Sequence, residues 1–506
     1  MDKAQAAALA FNAGLDIELP GNDCARHIRT AIDSGQLALG KVDEIVARVL
    51  TEKFRLGLFE SEFDDAASQP LRTATARAAA LEVARQSIVI LENDGILPLD
   101  PRAGQRIAVI GPTAADPLAQ LSGYSFAAHV ILQGSVEAVS HVVTPLQGLT
   151  SVFGQAQVRH APGCLILEQR VRGAPVFPGD VRDRAGVEPT SPVSRRTDLI
   201  PEAVAAAEAA DVAIVFVGDL AGLFQTGTVG EGSDTDSLAL PGVQQQLLER
   251  IVATQTPTIV VVSGGRPYNL GGLEDRVAAF VMSFAGGQEG GTAIAELLCG
   301  HIEPSGRLSI SVPSSAGASP VFYNHKLKSA GAPVAFHFKS NYPFGHGLSY
   351  TRFEYRHLAL ERAAVDIESG DITVSFDLTN AGLRRGVEVA QLYVRDRHAS
   401  VVRPVKELKA FHRIELGAGE TATVQFVIPV DMLCLTDHSG KRVIEPGWFD
   451  LMVGPSSADL PLRSEVEVIG TSRRTLGKTW RMESHAEEIR RHSHGVADAL
   501  PAGALS

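Results

Sequence analysis

The chain has 506 residues, 45% of them hydrophobic and 21% charged, which is the composition of a globular protein with room for several domains. Its formal net charge of -12 argues against nucleic acid or anionic lipid as a partner, because both attract clustered lysine and arginine. The four cysteines lie far apart and match neither a disulfide framework nor a zinc site.

Targeting signals are not visible in the sequence. It contains no apolar run of about eighteen residues, the length that a membrane span requires, and its N-terminus lacks the pattern of a secretory signal. We therefore predict no membrane partner, no metal and no cofactor. The compartment stays unknown, with the cytoplasm as the default.

Residues 1–60 have the pattern of amphipathic helices. In "VDEIVARVLTEKFRLGLFE", apolar residues recur at three- and four-residue spacing and the pattern ends near Gly57. The stretch is too short to be a domain, so its apolar stripe must pack on something else. Residues 61–75 are polar, contain a proline and are predicted to be a linker.

Residues 76–345 alternate between short apolar runs and helical stretches. The runs are "SIVIL", "RIAVIGP", "DVAIVFVGD", "TIVVVSGG", "AAFVMSFAGG" and "RLSISVP". Apolar strands that alternate with helices predict a mostly parallel sheet covered on both faces. The stretch 165–200 has no clear periodicity and is predicted to be a long loop or an insertion.

Residues 346–470 change character. Segments such as "DITVSFDLTN", "VEVAQLYVRD", "KELKAFHRIEL", "TATVQFVIP" and "GWFDLMVG" alternate apolar and polar residues and are joined by turn residues. This pattern predicts a small antiparallel β-sandwich. Residues 471–506 are predicted to be a C-terminal tail.

Two common catalytic signatures are missing. "RIAVIGPTAADP" follows a strand with glycine but lacks the G-x-G-x-x-G spacing of a dinucleotide site. No G-x-S-x-G segment is present, which argues against a serine nucleophile on an α/β sheet. The glycines of "SFAGGQEGG" are more typical of a close-packed turn than of an anion site.

One carboxylate stands out. Glu231 lies between two glycines in "TVGEGSDTDSLALPG", in a loop that leaves the carboxyl end of a predicted strand, where ligand sites of α/β sheets gather. The flanking glycines leave the approach to the acid open. Phe224 and Tyr268 are loop aromatics that could line a sugar-sized slot beside it. From the residues alone, a functional acid and a solvated one are equally supported.

These segments together resemble glycoside hydrolase family 3, and the resemblance covers nearly the whole chain. "NAGLDIELPG" and "VLTEKFRLGLF" are similar to the end of the family's barrel, and the second-domain signatures follow in order: "SIVILENDGILPL", "IAVIGP", "VGDLAGLFQTGTVGEGSDTDSLALPGVQQQLL", "GGQEGGTAIAELLCGHIEPSGRLSISVP" and "YPFGHGLSYTRFEY". "GVEVAQLYVRD" and "KELKAFHRIEL" resemble its fibronectin type III-like domain.

The resemblance implies a fold and an activity. The fold is an α/β-sandwich domain with a mostly parallel sheet between helices, followed by a fibronectin type III-like β-sandwich. Such proteins are retaining, exo-acting β-glycosidases of the β-glucosidase or β-xylosidase type, acting on β-linked oligosaccharides or glycosides.

The resemblance also implies site residues. The glutamate of the family's Gly-Glu-Gly segment is the general acid/base, which here is Glu231. We also predict substrate contacts for Asp219, Phe224 and Asp234. The family commonly has Asp-Arg where this chain has Asp234 followed by threonine, so a contact made by that arginine is in doubt.

The second carboxylate of the mechanism is missing. Retention requires two carboxyl groups about 5 Å apart, and the family's nucleophile is an aspartate in a Ser-Asp-Trp segment. The only tryptophans here are Trp448 and Trp480, and neither follows Ser-Asp. We therefore predict that residues 1–60 are a remnant of a (β/α)8 barrel, that the nucleophile is absent, and that Asp16 and Glu18 are structural.

Three readings follow. In the first, the chain is a truncated glycosidase or one that is completed by a separate barrel polypeptide. In the second, it is a non-catalytic carbohydrate-binding or scaffold module that keeps half of the pocket. The third is a nucleotide-binding α/β protein, which the missing glycine fingerprint disfavours.

Overall fold

The computed structural model describes residues 2–19, 21–60, 72–125, 139, 141–169, 193–222, 227–233, 235–327, 340–477 and 479–490. The chain divides into two compact units, Met1–Thr73 and Ala74–Ser506. Each is described by itself.

The described residues of the first unit form the α-helices α1 (Lys3–Asn12), α2 (Ile28–Asp33) and α3 (Leu39–Arg55). Asp2 begins α1 with a capping box, in which its side chain accepts from the Gln5 N–H. A small core includes Phe11 and Leu37. Within α3 only Ile45 of the apolar stripe is buried, while Phe54 is 60% exposed, so most of the predicted stripe is uncovered in this structure.

Asp16 and Glu18 have structural contacts. Arg48 donates to the Asp16 carboxylate at 2.6 Å, and the N–H groups of Cys24 and Ala25 donate to Glu18 at 2.8–3.0 Å. These contacts agree with a structural role for both residues, which stays a prediction.

The second unit begins with an α/β part. Its helices are α4 (Ala74–Ser87), α5 (Pro145–Phe153), α6 (Ile200–Glu208), α7 (Gln244–Val252) and α8 (Gly290–Leu298). Its main strands are β1 (Val89–Asn93), β2 (Ile107–Ile110), β3 (Val158–Ala161), β4 (Val212–Gly218), β5 (Thr258–Ser263) and β6 (Ala279–Met282). Their order in the sheet is β1-β6-β5-β4-β2-β3, and every pair is parallel except β1 with β6.

The predicted mostly parallel sheet between helices is confirmed. All seven residues of β4 are buried, and successive side chains point to opposite faces: Val215 packs in the core with α6 and α7, whereas Phe216 packs with α5 and α8. A strand covered on both faces has no polar alternation, which is why the apolar runs located these strands.

Two strand predictions in this region were wrong. "RLSISVP" contributes only the two-residue β7 (Val312–Pro313), which pairs with β8 (Ser340–Tyr342) outside the main sheet. Conversely, β3 was not predicted, because at this edge position Arg159 is exposed and the short strand lacks an apolar run.

An ion pair joins the beginnings of β2 and β4. Arg106 donates to the Asp211 carboxylate from its backbone N–H at 2.8 Å and from Nη2 at 2.7 Å. These hydrogen bonds lower the pKa of Asp211 from 3.8 to about 2.

We expect Asp211→Asn to destabilise the chain in a pH-dependent way. Because the folded-state pKa is depressed, the stabilisation is present above about pH 4 and is lost as the pH falls toward 2. Urea unfolding of both proteins from pH 6 to pH 2.5 (about one unit apart) should show a difference in midpoint that shrinks on acidification. In an Arg106→Met background, Asp211→Asn should change the urea midpoint less. A midpoint difference that does not vary with pH would contradict the depressed pKa of Asp211 as its cause.

The second part of this unit is a β-sandwich. The strands are β9 (Phe353–Leu360), β10 (Ala364–Asp366), β11 (Asp371–Asn380), β12 (Gly386–Asp396), β13 (Glu407–Leu416), β14 (Thr421–Pro429), β15 (Leu435–Thr436), β16 (Arg442–Ile444), β17 (Gly447–Gly454), β18 (Leu462–Ile469), β19 (Arg474–Thr475) and β20 (His485–Arg490). One sheet has the order β10-β18-β17-β12-β13 and the other β20-β14-β11-β9. The predicted β-sandwich is confirmed, with alternating burial along β11 and β14.

The prediction of a tail from residue 471 is wrong for its first part. β20 pairs with β14 from Ala422–Arg490 to Val427–His485 and adds a strand to the sandwich. Its side chains are mostly exposed, so the segment has no apolar alternation that could reveal it. Residues 491–506 lie outside the described residues.

Other predicted boundaries are tested only in part. α4 begins at Ala74, inside the predicted linker 61–75, and residues 61–71 lie outside the described residues. Most of the predicted loop or insertion at 165–200 also lies outside them. The domain limits 1–60, 76–345 and 346–470 stay predictions.

Candidate functional site

The candidate site lies at the carboxyl ends of the parallel strands. β4 ends at Gly218, and the loop that follows it carries Glu231. β5 ends beside it and leads through two glycines to Arg266. Since parallel strands present their carboxyl ends at one edge of the sheet, two segments distant in sequence meet there.

The end of β4 is fixed by an amide side chain. Gln244, the first residue of α7, is fully buried, accepts from the Gly218 N–H at 2.8 Å and donates to the Gly218 carbonyl at 2.9 Å. A buried side-chain amide that satisfies both backbone groups holds the point where the loop leaves the sheet.

The loop folds back on its own beginning. The Gly222 N–H donates to the Val229 carbonyl at 2.9 Å, and the Thr228 N–H donates to the Leu220 carbonyl at 2.8 Å. Thr228 Oγ1 also accepts from the Leu220 N–H at 3.0 Å. The described residues on the two sides of the loop, 219–222 and 227–230, therefore lie side by side.

The glycines beside Glu231 have a reason other than the predicted openness. Gly230 has φ +126°, and a Cβ there would lie 2.1 Å from the Gly222 carbonyl oxygen. Gly232 has φ +71°, a conformation that side chains rarely adopt. The turn and the close backbone approach require Gly230, which corrects the interpretation that it only keeps the approach open.

Arg266 connects the loop to β5. Its Nη1 donates to the Thr228 carbonyl at 2.5 Å and its Nη2 donates to the Ser233 carbonyl at 2.6 Å. These two carbonyls lie on either side of Glu231 in the sequence.

Asp219 is the first residue of the loop, and its side chain is buried. It is 2% exposed, and its Oδ1 accepts from the Tyr268 hydroxyl at 2.5 Å and from Thr228 Oγ1 at 3.0 Å, with Arg266 Nη1 at 3.7 Å. Burial raises the pKa of Asp219, while these two hydrogen bonds and the arginine charge act against that rise. The described contacts of Oδ1 are all internal, whereas Oδ2 is buried with no hydrogen-bond partner among the described residues. The predicted contact of Asp219 with a sugar stays a prediction.

The interpretation of Tyr268 as a slot-lining aromatic is wrong. The side chain is 1% exposed, and burial, followed by the Asp219 charge, raises the pKa of its hydroxyl. A position in a loop suggested an exposed side chain, but this loop places Tyr268 in the interior, where its hydroxyl donates to Asp219.

Glu231 itself is exposed. Tyr124, which is 68% exposed, donates its hydroxyl hydrogen to Glu231 Oε2 at 2.5 Å. No arginine among the described residues is paired with this carboxylate. An exposed acid whose described partner is one phenol can reach a bound ligand after a small rearrangement.

Tyr124 reports on this contact. The hydrogen bond to Glu231 raises the pKa of Tyr124 above its ordinary value of 10.0. The other six tyrosines are half-buried or buried, and burial raises their pKa values. Because Tyr124 is the one exposed tyrosine among the seven, we expect it to ionise first.

We expect Glu231→Gln to shift the first tyrosine ionisation of the chain downward, toward pH 10, because the accepting carboxylate is removed. Ultraviolet absorbance of tyrosinate during alkaline titration measures it. Tyr124→Phe should remove the first step altogether. An unchanged first step in Glu231→Gln would mean that the contact is absent in solution.

The structure describes two of the four predicted site residues. Glu231 and Asp219 lie on the loop that follows β4, whereas Phe224 and Asp234 lie outside the described residues and stay predictions. Sequence reasoning missed Arg266 and Tyr124. Arg266 had a signal, since it directly follows the glycines that end a neighbouring strand, but no pattern points to Tyr124.

The sequence matches two protein-family models. Residues 88–350 match the model of the glycosyl hydrolase family 3 C-terminal domain. The chain belongs to glycosyl hydrolase family 3. Residues 388–457 match a fibronectin type III-like domain, in agreement with the family's predicted second module.

Relatives of known name share this family. The chain is 33% identical over 471 residues to a β-xylosidase of Formosa agariphila and 33% identical over 479 residues to a periplasmic β-glucosidase of Salmonella typhimurium. Each alignment covers 90% of this chain, but only 60% and 59% of the relative. The chain thus spans about three fifths of the curated relatives that it matches.

A solved structure agrees. A β-glucosidase involved in saponin metabolism from intestinal bacteria superposes with a TM-score of 0.81 at 31% identity, covering 92% of this chain and 64% of that protein. The family 3 fold is therefore shared along most of the chain.

Among the described residues, no helix is both long and apolar enough to cross a membrane. The same described residues also contain no group of three or more histidine, cysteine, aspartate or glutamate side chains placed to hold a metal ion.

Proposed function

We propose that this chain carries the acid/base half of a retaining, exo-acting β-glycosidase, with Glu231 as the general acid/base. The observation that carries the proposal is the placement of Glu231: an exposed carboxylate on a tightly held loop at the carboxyl edge of a parallel sheet. Family membership and the names of the relatives support it.

The substrate class is a β-linked oligosaccharide or glycoside with a glucose- or xylose-like terminal sugar. This follows from the names of the relatives, which are β-glucosidases and β-xylosidases. The site supplies a proton donor rather than a charged clamp, which suits a neutral glycosidic oxygen.

Glu231 acts twice in the proposed reaction. As an acid it donates its proton to the bridging oxygen while a second carboxylate attacks the anomeric carbon, so that the aglycone leaves as an alcohol and a glycosyl ester forms. As a carboxylate it then takes a proton from water, which attacks the same carbon and releases the sugar. Tyr124 holds the carboxylate before the sugar arrives.

The nucleophile comes from outside these 506 residues. The chain has no Ser-Asp-Trp segment, and it spans about three fifths of its relatives. We propose that a barrel, on the same polypeptide or a separate one, places an aspartate about 5 Å from Glu231.

A second candidate is a carbohydrate-binding or scaffold module without catalysis. The observation in its favour is that missing Ser-Asp-Trp segment. Such a module binds a sugar at this edge of the sheet and leaves it intact.

A chimera tests the proposal. The full chain replaces the matching 60% of the Formosa agariphila β-xylosidase, so that the remainder of that enzyme is retained. We expect the chain alone to release no nitrophenol from aryl β-glucoside or β-xyloside, and the folded chimera to release it. Robust turnover by the chain alone would contradict the prediction that the nucleophile is absent from these 506 residues. Calorimetric binding of D-xylose or D-glucose by the chain, together with an inactive folded chimera, would favour the module.

A further inference from the structure

Hydrogen bonds within the loop join Gly222 to Val229 and Thr228 to Leu220 on the N-terminal side of Glu231, and the Ser233 N–H donates to the Gly230 carbonyl across it. The flanking Gly230 and Gly232 have a wider range of backbone conformations than any other residue type. Residues 227–232 are half-buried or exposed, so hydrophobic burial contributes little to their order. The hydrogen bonds within the loop hold it together, but the position of Glu231 relative to the sheet also depends on contacts with other segments.

Arg266 supplies two such contacts, one on each side of the acid. Its two terminal nitrogens donate to the carbonyls of Thr228 and Ser233 at 2.5 and 2.6 Å. A guanidinium is planar and its donors form a rigid fork, so binding both carbonyls fixes their separation. The segment between them then has both ends held.

Arg266 is itself held by the fold. Its side chain is only 17% exposed, and it lies 3.4 Å from the Tyr268 hydroxyl and 3.7 Å from the buried Asp219 carboxylate. It also follows β5, in the centre of the sheet. The loop is thus tied to a rigid element through a partly desolvated cation.

We propose that Arg266 is the positioning residue for Glu231: its guanidinium bridges two loop carbonyls and thereby sets where the acid stands. The inference rests on the acid/base role proposed for Glu231. It matters because a displacement of about 1 Å in a reacting group can cost roughly 10²-fold in rate.

Hydrogen exchange of the whole chain tests the bridge without any catalysis. We expect Arg266→Ala and Arg266→Lys to accelerate amide exchange in residues 227–233. Low millimolar guanidinium should restore protection in Arg266→Ala, while an equal concentration of sodium chloride should not. Arg250→Ala, at an exposed arginine of α7, is the matched control and should leave the loop unchanged.

Native exchange rates in both Arg266 variants would overturn the inference. Arg266→Lys keeps a positive charge beside Asp219, so it decides the question if Arg266→Ala does not fold; near-ultraviolet circular dichroism verifies its tertiary structure.

The chimera tests the consequence for turnover. We expect Arg266→Lys to lower kcat on phenyl glycosides by about 10- to 100-fold with KM little changed. On dinitrophenyl glycosides, which need no proton on leaving, kcat/KM, which reports glycosylation, should fall much less. Guanidinium should rescue Arg266→Ala.

Two outcomes separate the inference from the proposed function. An unchanged kcat for Arg266→Lys, in a chimera that Glu231→Gln inactivates, would overturn the inference. Full activity of Glu231→Gln would overturn the acid/base role, and the exchange rates would still decide whether Arg266 holds the loop.

Discussion

Glu231→Gln in the active chimera is expected to lower kcat on phenyl β-glycosides by roughly 10²- to 10⁴-fold, the range that positioned acid/base groups contribute. The physical reason is that phenoxide is a poor leaving group unless its oxygen is protonated as the bond breaks. Dinitrophenyl glycosides should lose far less in glycosylation, because their leaving group departs as a stable anion. Steady-state kinetics over a series of aryl leaving groups measures the difference.

The second half of the reaction gives an independent readout. Gln cannot take a proton from water, so the glycosyl-enzyme should accumulate on activated substrates. Added azide, which attacks without a general base, should restore turnover and yield a glycosyl azide. Glu208→Gln, at an exposed glutamate ending α6, is the control and should retain activity. Equal losses on all leaving groups, without azide rescue, would contradict an acid/base role.

Gly218→Ala is expected to cause a large loss of stability in the α/β part, about 2–6 kcal/mol. Gly218 has φ +140°, and a Cβ there would lie 1.8 Å from the Ser263 carbonyl oxygen of the adjacent strand. Backbone strain costs about 1–3 kcal/mol, and forcing the strands apart costs about as much again. A thermal melt followed by circular dichroism measures it.

The matched control is Gly265→Ala, at the corresponding end of the next strand. No atom lies within 4 Å of a Cβ placed there, so a change within about 0.5 kcal/mol is expected. If the two variants melt alike, β4 and β5 do not approach each other at Gly218 as described.

Local patterns in the sequence were sufficient for most of the architecture. The apolar runs of β2, β4, β5 and β6 and the alternation of β11 and β14 depend only on which face of a strand is buried. β3 and β20 were missed because edge strands with exposed side chains carry no such pattern. The apolar stripe of α3 shows another limit: the sequence pattern predicts that a helix has an apolar face, but it does not identify the segment that covers that face.

The candidate site divides in the same way. The sequence by itself determined the family, the order of its modules and the position of Glu231, because these reside in contiguous motifs. Only the tertiary structure decided that Arg266 bridges the loop, that Tyr268 points inward, and that Tyr124 reaches the acid from 107 residues away. Such contacts depend on where parallel strands bring distant segments together, and that path is set by the packing of the whole sheet.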